Sequence, residues 1–431
     1  MPIPQEWLQY APKPMELTNG KEWNVFLSYR SVNRTWVLNL YDILQELGYK
    51  VFIDQVELAV GNVLVTSLGQ ALNKSQAGVL IWSEAAANSA WVEKEYAKME
   101  TMSTKDPKFK FLTLRLDRTE LPGFGDTKIF IDFSSYPDGP NGGELLRLIH
   151  GIVGKSLSAE AARFADQQNE LAIDMINEID TAKRNGDPEE ITRLFEENSL
   201  PWKTTASLGS KAAENLTKLG KNNEAIQIMR KVTEQFPKAI RPKQILALAL
   251  AKRGGDGDLK EAQKILGKLY TQGERDPETL GIYARTWMDR FTKSGDNADL
   301  RQSRNYYEEA YKRAPDDYYT GINAASKSVF LDEYDKGKTI AEGILQNFGT
   351  EAVEGDYWLT ATIAEAFLIL KKYREAAAMY QKAIDMAPTE TGSHGSTWKQ
   401  AKRLMDKLNP DESERAAVSD AFKHLPGFDK M

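Results

Sequence analysis

The strongest constraint in this sequence is a change of rhythm near residue 155. Before that point short apolar runs alternate with helical patterns, and after it the strand-like runs stop. Val25-Phe26-Leu27-Ser28-Tyr29 reads as a buried strand, and residues 50–54, 77–82, 109–114 and 129–133 repeat its character. Helical spacing fills the intervals at residues 36–47, 63–73, 90–101 and 144–153, and Gly48 ends the first of these helices. Apolar strands separated by helices pair in parallel and are covered on both faces. The expected first domain, residues 23–155, is therefore α/β and flavodoxin-like, with a parallel five-stranded sheet. Ligands of such sheets bind outside the carboxyl ends of the strands. That rule puts the segments after Tyr29, Asp54 and Trp82 at the functional edge.

The remainder reads as all-α. Ser158 is placed to cap an amphipathic helix that runs to about Arg184, where Asn185-Gly186-Asp187-Pro188 breaks it. Residues 156–205 are read as a helical linker, and helical pairs follow over 206–408. Helices rich in small residues, such as Leu246-Ala247-Leu248-Ala249-Leu250, alternate with helices carrying Glu-Ala pairs at 224–225, 261–262 and 375–376. Several units are read as finishing on a proline: Pro237, Pro277, Pro315 and Pro388. The first three lie 40 and 38 residues apart, longer than the roughly 34 of a regular tetratricopeptide (TPR) repeat. Insertions such as Gly254-Gly255-Asp256-Gly257 account for the excess; that cluster follows no strand and is a loop, not a phosphate cradle. Small residues let paired helices approach, so the expectation is a degenerate TPR-like array. Residues 409–431 are expected to cap it, and residues 1–22, with four prolines in the first sixteen, to form an extended tail.

Composition removes several chemistries. The chain of 431 residues has no cysteine, which excludes disulfides, thiolate nucleophiles and Cys-based metal sites. Its three histidines, His150, His394 and His424, are far apart in sequence, so no metal site is expected. A net charge of -6 gives no broad basic field for nucleic acid. No apolar run approaches the ~20 residues that cross a bilayer, and a cytoplasmic protein is expected.

Several motifs then occur together and in order. Val25-Phe26-Leu27-Ser28-Tyr29-Arg30 resembles the first strand of TIR domains, and Val51-Phe52-Ile53-Asp54 resembles their second. Glu57-Leu58-Ala59-Val60-Gly61 falls where their BB loop lies, and Trp91-Val92-Glu93-Lys94-Glu95 matches the Trp-x-x-x-Glu element of NAD-cleaving TIRs. The pattern is similar to the animal axon-degeneration TIR NADases, with bacterial defence TIRs behind them. It departs from the former at Ser31, where they carry a second arginine, and at Ala59, where they carry a glutamate. By this resemblance Glu95 is the catalytic carboxylate. Nicotinamide is a cationic leaving group that departs without protonation, and a fixed carboxylate stabilises the oxocarbenium ion left behind. The resemblance places Tyr29, Arg30, Asp54, Ser83 and Trp91 around the dinucleotide. NAD is then a substrate, the product is linear or cyclic ADP-ribose, and no cofactor is expected.

Within 206–408, the segments at 282–289, 317–325 and Tyr357-Trp358 resemble the central regulatory region of apoptosis signal-regulating kinases. That region is a TPR-like array also found beside TIR domains in bacterial conflict systems. The implied function is a regulated NAD hydrolase of bacterial defence, with the array sensing a protein or small-molecule trigger and TIR domains self-associating. The alternative is a non-enzymatic TIR/TPR adaptor. Tyr283, Arg285, Trp287, Tyr318 and Trp358 form a candidate nucleotide-signal pocket, although repeat helices more often use such residues as core.

Overall fold

A computed structural model of the chain describes residues 3–53, 64–87, 90–121, 130–388 and 391–425. Two compact units emerge, Met1–Ile265 and Leu266–Met431. The first contains a five-stranded parallel sheet of β1 (Trp23–Ser28), β2 (Val51–Phe52), β3 (Ser75–Trp82), β4 (Lys110–Arg115) and β5 (Phe130–Asp132), in the order β2-β1-β3-β4-β5. Register is set by pairs such as Val25 with Val51 and Ala77. The order reverses at β1, which lies between β2 and β3, so the crevice beyond the carboxyl ends of β1 and β3 is the topological switch point.

Alternation along β1 separates the two faces. Phe26 packs with Phe52, with Leu68 and Leu72 of α3 (Leu64–Asn73), and with Met99 of α5 (Ala90–Lys105). On this face Gly78 has no room for a side chain, because a Cβ would sit 2.8 Å from Met99 Sδ. Elsewhere Trp36 of α2 (Arg34–Glu46) meets Phe133 edge-on at 5.1 Å. Burying each of these large side chains contributes roughly 1.5–3 kcal/mol. A short α4 (Glu84–Ala87) follows β3, and α6 (Gly142–Ile152) follows β5.

The opening residues are not a simple extended tail. They carry a short helix, α1 (Gln5–Leu8), with Trp7 buried. Backbone acceptors then tie the segment down: Pro12 O accepts from Tyr49 OH, Met15 O from Asn24 Nδ2, and Tyr10 O lies 2.8 Å from His150 Nε2. An early apolar anchor at Trp7 outweighs the prolines.

The long helix α7 (Ala159–Asn185) starts on Ser158, whose hydroxyl accepts from Ala161 N at 3.1 Å, and stops at left-handed Gly186. It approaches α6 so closely that a Cβ on Gly143 would lie 1.9 Å from the Ala165 carbonyl oxygen. Asn169 of α7 fastens the contact, accepting from Tyr136 OH, Gly143 N and Glu144 N while donating to Glu144 Oε1. Asn169→Ala removes that acceptor from a buried tyrosine and a helix start. A loss of about 2 kcal/mol is expected, read as a lower denaturant midpoint with an unchanged slope. Beyond come α8 (Pro188–Glu196), α9 (Leu200–Thr204), α10 (Ser207–Lys218), α11 (Asn222–Gln235) and α12 (Arg241–Arg253). These helices reach back to the sheet domain. Ile240 N donates to Asp42 Oδ2 at 2.9 Å, and Lys211 bridges Asp138 and Asp180 at 2.6 and 2.9 Å.

After α13 (Asp258–Thr271), the second unit consists of α14 (Pro277–Ser294), α15 (Asn297–Arg313), α16 (Tyr318–Phe330), α17 (Tyr334–Phe348), α18 (Tyr357–Ile369), α19 (Tyr373–Met386), α20 (Thr391–Leu408) and α21 (Glu412–Asp420). Aspartates 276, 296, 317, 356 and 411 accept backbone amides at helix starts. Three of the four prolines follow helix ends as expected, but Pro277 opens α14 behind its Asp276 cap. An Asp-Pro pair is a helix start because proline suits the first helical turn. In the final described segment Asp411 and Glu414 form a reciprocal capping box, and Phe422 is buried against Tyr380 and Trp398. Two of the histidines separated in sequence meet here, with His394 Nδ1 2.9 Å from His424 Nε2. Among the described residues no group of three potential metal ligands forms.

Candidate functional site

At the carboxyl end of β1, Ser28 shares the face of Phe26, two residues earlier, and so points toward α5. On α5 the buried stripe is set by Val92 and Met99, with Tyr96 packed edge-on against Phe111. Glu95 lies at the margin of this stripe and is half-buried. The two elements meet where Ser28 Oγ donates to Glu95 Oε2, and Ser28 itself is only 2% exposed. A hydroxyl donating to a carboxylate makes a charge-assisted bond, which fixes the direction of the acceptor. One turn further, Lys98 donates to Gly69 O at 2.8 Å. Burial holds the Lys98 pKa below the usual lysine range, with the Glu95 charge pulling the other way.

Tyr29 and Arg30 follow directly and are half-buried, and Tyr29 OH accepts from Arg34 Nη1 at 2.7 Å. Ser83 is buried, donates to Asn33 Oδ1 at 2.8 Å and accepts from Ala86 N, so it ties the β1 and β3 exits together. Its described contacts are these rather than Glu95. Asp54, the loop containing Ala59, and the Trp91 side chain lie outside the described residues. Ser28 was not singled out from sequence, although its period-two relation to Phe26 was the signal that it faces the helix carrying Glu95.

A second feature sits at the same sheet edge. A cleft of about 250 Å³ has Asn33, Ser83, Asp117 and Asp138 on the sheet side. Ser210, Lys211 and Glu214 of α10 and Arg241 of α12 close it from the helical side. Glu95 is not among its lining residues. Burial opposes charge on Asp117, but hydrogen bonds from Thr119 and the Glu84 amide, with Arg115 nearby, outweigh it and leave the pKa low. Burial likewise opposes charge on Lys211, yet Asp138 and Asp180 outweigh it and raise the pKa.

Residues 25–147 match the family described as TIR domain. Residues 221–330 match Tetratricopeptide Repeats-Sensor, and residues 361–390 match Tetratricopeptide repeat. The chain carries a TIR domain followed by TPR-type repeats. Both parts of the expected fold class therefore stand, a parallel five-stranded TIR sheet and an all-helical repeat region. Over 85 residues the chain is 32% identical to the TMV resistance protein N of Nicotiana glutinosa, a stretch covering 19% of this chain and 7% of that protein. Similar solved structures include a thermophilic TPR protein of Thermus thermophilus, at 17% identity and a TM-score of 0.36, spanning 47% of this chain and 98% of that one. Another is the APC/C hetero-tetramer Cut9–Hcn1, at 17% identity and a TM-score of 0.37, spanning 55% and 41%. No helix among the described residues is long and apolar enough to cross a membrane.

Proposed function

We propose that the TIR domain is a regulated NAD glycohydrolase with Glu95 as its catalytic carboxylate. The observation that carries this reading is the bond from buried Ser28 to half-buried Glu95 at the ligand-binding edge of the sheet. In the reaction, the bond between the ribose C1′ and the nicotinamide nitrogen breaks, and its electron pair leaves with nicotinamide. The cationic ribose that forms is stabilised by the Glu95 carboxylate. Water adds at C1′ and loses a proton, giving ADP-ribose; attack by an internal nucleophile instead gives the cyclic product. Tyr29 and Arg30, which follow β1 at that edge, are the residues we assign to the dinucleotide.

The repeat array is the regulatory part, and self-association of TIR domains completes the pocket. A role in immune defence accords with the name of the resistance protein that shares the TIR stretch. The test is nicotinamide release from NAD across a series of protein concentrations, with particle size measured in parallel. Turnover per chain is expected to rise with assembly. Assembled protein that releases no nicotinamide leaves the adaptor reading in its place.

A further inference from the structure

Charged side chains on these helices commonly pair with the opposite sign within a turn. Arg193 of α8 pairs with Glu190 and Glu197, and Lys312 of α15 pairs with Glu308 at 2.7 Å. Two helices depart from this habit. On α7, Glu170, Asp174 and Glu178 are exposed at i, i+4 and i+8, an acidic stripe along one face. On α13, Lys260, Lys264 and Lys268 are exposed at the same spacing, a basic stripe. Among the described residues, no ion pair and no side-chain hydrogen bond engages any of these six side chains. Like charges one turn apart repel, so each stripe carries a standing cost that a partner of opposite sign relieves.

The two stripes match in sign, in number and in period. Each steps along its helix by about 6 Å. Two such helices laid side by side therefore set all three carboxylates against all three ammonium groups in one register. Leu171 adds an apolar contact to the acidic stripe. It lies three residues before Asp174 and seven before Glu178, on the same helix face, and is 48% exposed. Both stripes are open to solvent in the single chain, so the surface that carries the matching stripe belongs to a second copy.

We infer that α7 of one copy docks against α13 of another, acidic stripe on basic stripe. Each copy carries both halves, so the contact either repeats from copy to copy or is made twice in a two-fold dimer. It lies outside the TIR domain, and it adds a contact made by the helical part to the TIR self-association proposed above. Nothing in it depends on NAD cleavage.

The test is light scattering of the full chain over a concentration series, at about 0.1 M and about 1 M salt, between which the Debye length falls from about 10 Å to about 3 Å. The native chain is expected to associate at the lower salt and about ten-fold more weakly at the higher. Lys260→Glu, Lys264→Glu and Lys268→Glu together make both stripes acidic. Glu170→Lys, Asp174→Lys and Glu178→Lys together make both basic. Each triple variant alone is expected to lose the salt-sensitive association, and an equimolar mixture of the two to regain it. Recovery on mixing requires that these two stripes meet, which separates this contact from association through the TIR domain. All six positions are exposed, so both variants should fold, as circular dichroism will show. Three results overturn the inference: a native chain that stays monomeric at the lower salt, triple variants that associate as the native chain does, or a mixture that does not recover. A monomeric native chain whose lysine stripe binds heparin would assign that stripe to a polyanion instead.

Discussion

Glu95→Gln is expected to leave the chain folded and to lower nicotinamide release by roughly 100-fold or more, the usual loss when one preorganised electrostatic contact to a transition state is removed. Glutamine retains a side-chain oxygen to accept from Ser28, so the junction between α5 and β1 persists while the charge is lost. The drop should therefore fall on kcat, with KM changed little, because an oxocarbenium ion forms only on the way to the transition state. Ser28→Ala provides the contrast. It keeps the carboxylate and removes one donor that orients it, so a smaller fall of about ten-fold is expected. Full turnover in Glu95→Gln, with circular dichroism unchanged, would falsify the assignment of that carboxylate.

Most of the framework is legible because it obeys local rules. Strands buried on both faces must be apolar runs, and each observed strand overlaps its expected run, with β2 pairing only over Val51–Phe52. Ser158, Gly186 and Asp187 announce the limits of α7 and α8 through capping chemistry. Pro277 reads as the wrong end of a helix when the proline is weighed without its Asp276 neighbour. The tail is misread in part because Trp7 finds a partner surface only in three dimensions. Distance in sequence likewise hides the contact of His394 with His424.

The site divides in the same way. Glu95 is visible as part of a motif, and Ser28 is recoverable from strand alternation. The cleft has no local signature, since its walls come from residues 33, 83, 117, 138, 210 and 241. One trace exists. Asn39 and Asp42 are polar positions inside a helix whose residues from Trp36 to Leu44 are all buried. Asp42 Oδ2 accepts from Ile240 N, and Asn39 Nδ2 donates to Asp138 O.

The second large effect is expected on stability, at Lys327 of α16. This lysine is 4% exposed, donates to Asn323 Oδ1 at 2.6 Å and lies 5.3 Å from the centre of the Tyr307 ring. Burial lowers its pKa to about 8, with Glu365 opposing the shift and Arg403 adding to it. Glu365 in turn is raised by burial, against the hydrogen bond from Gln400 Nε2 at 2.9 Å and the charge of Lys327. Lys327→Met removes a charge whose lowered pKa marks its burial as a net cost, even with Glu365 nearby. A gain of up to about 3 kcal/mol at pH 7 is expected, the free-energy equivalent of that lowering. Adding Glu365→Gln should preserve the gain, since it removes the carboxylate that the lysine had partly compensated.

The pH dependence gives an independent check. Below about 8 the lysine is charged in both folded and unfolded chains, and the native state carries the whole cost of burying it. Between there and the ordinary value of 10.5 the unfolded chain binds the extra proton, so this group's contribution to stability rises with pH. The slope approaches roughly 1.4 kcal/mol per pH unit. Several buried tyrosines in this unit, Tyr380 among them, have raised pKa values and act in the opposite sense at high pH. The quantity to measure is therefore the difference between native chain and Lys327→Met, in which those tyrosines largely cancel. That difference should shift in favour of the native chain from pH 8 to 10, as the cost of the buried charge is relieved. A difference that stays flat across the window would mean that the lysine is not desolvated as its burial implies.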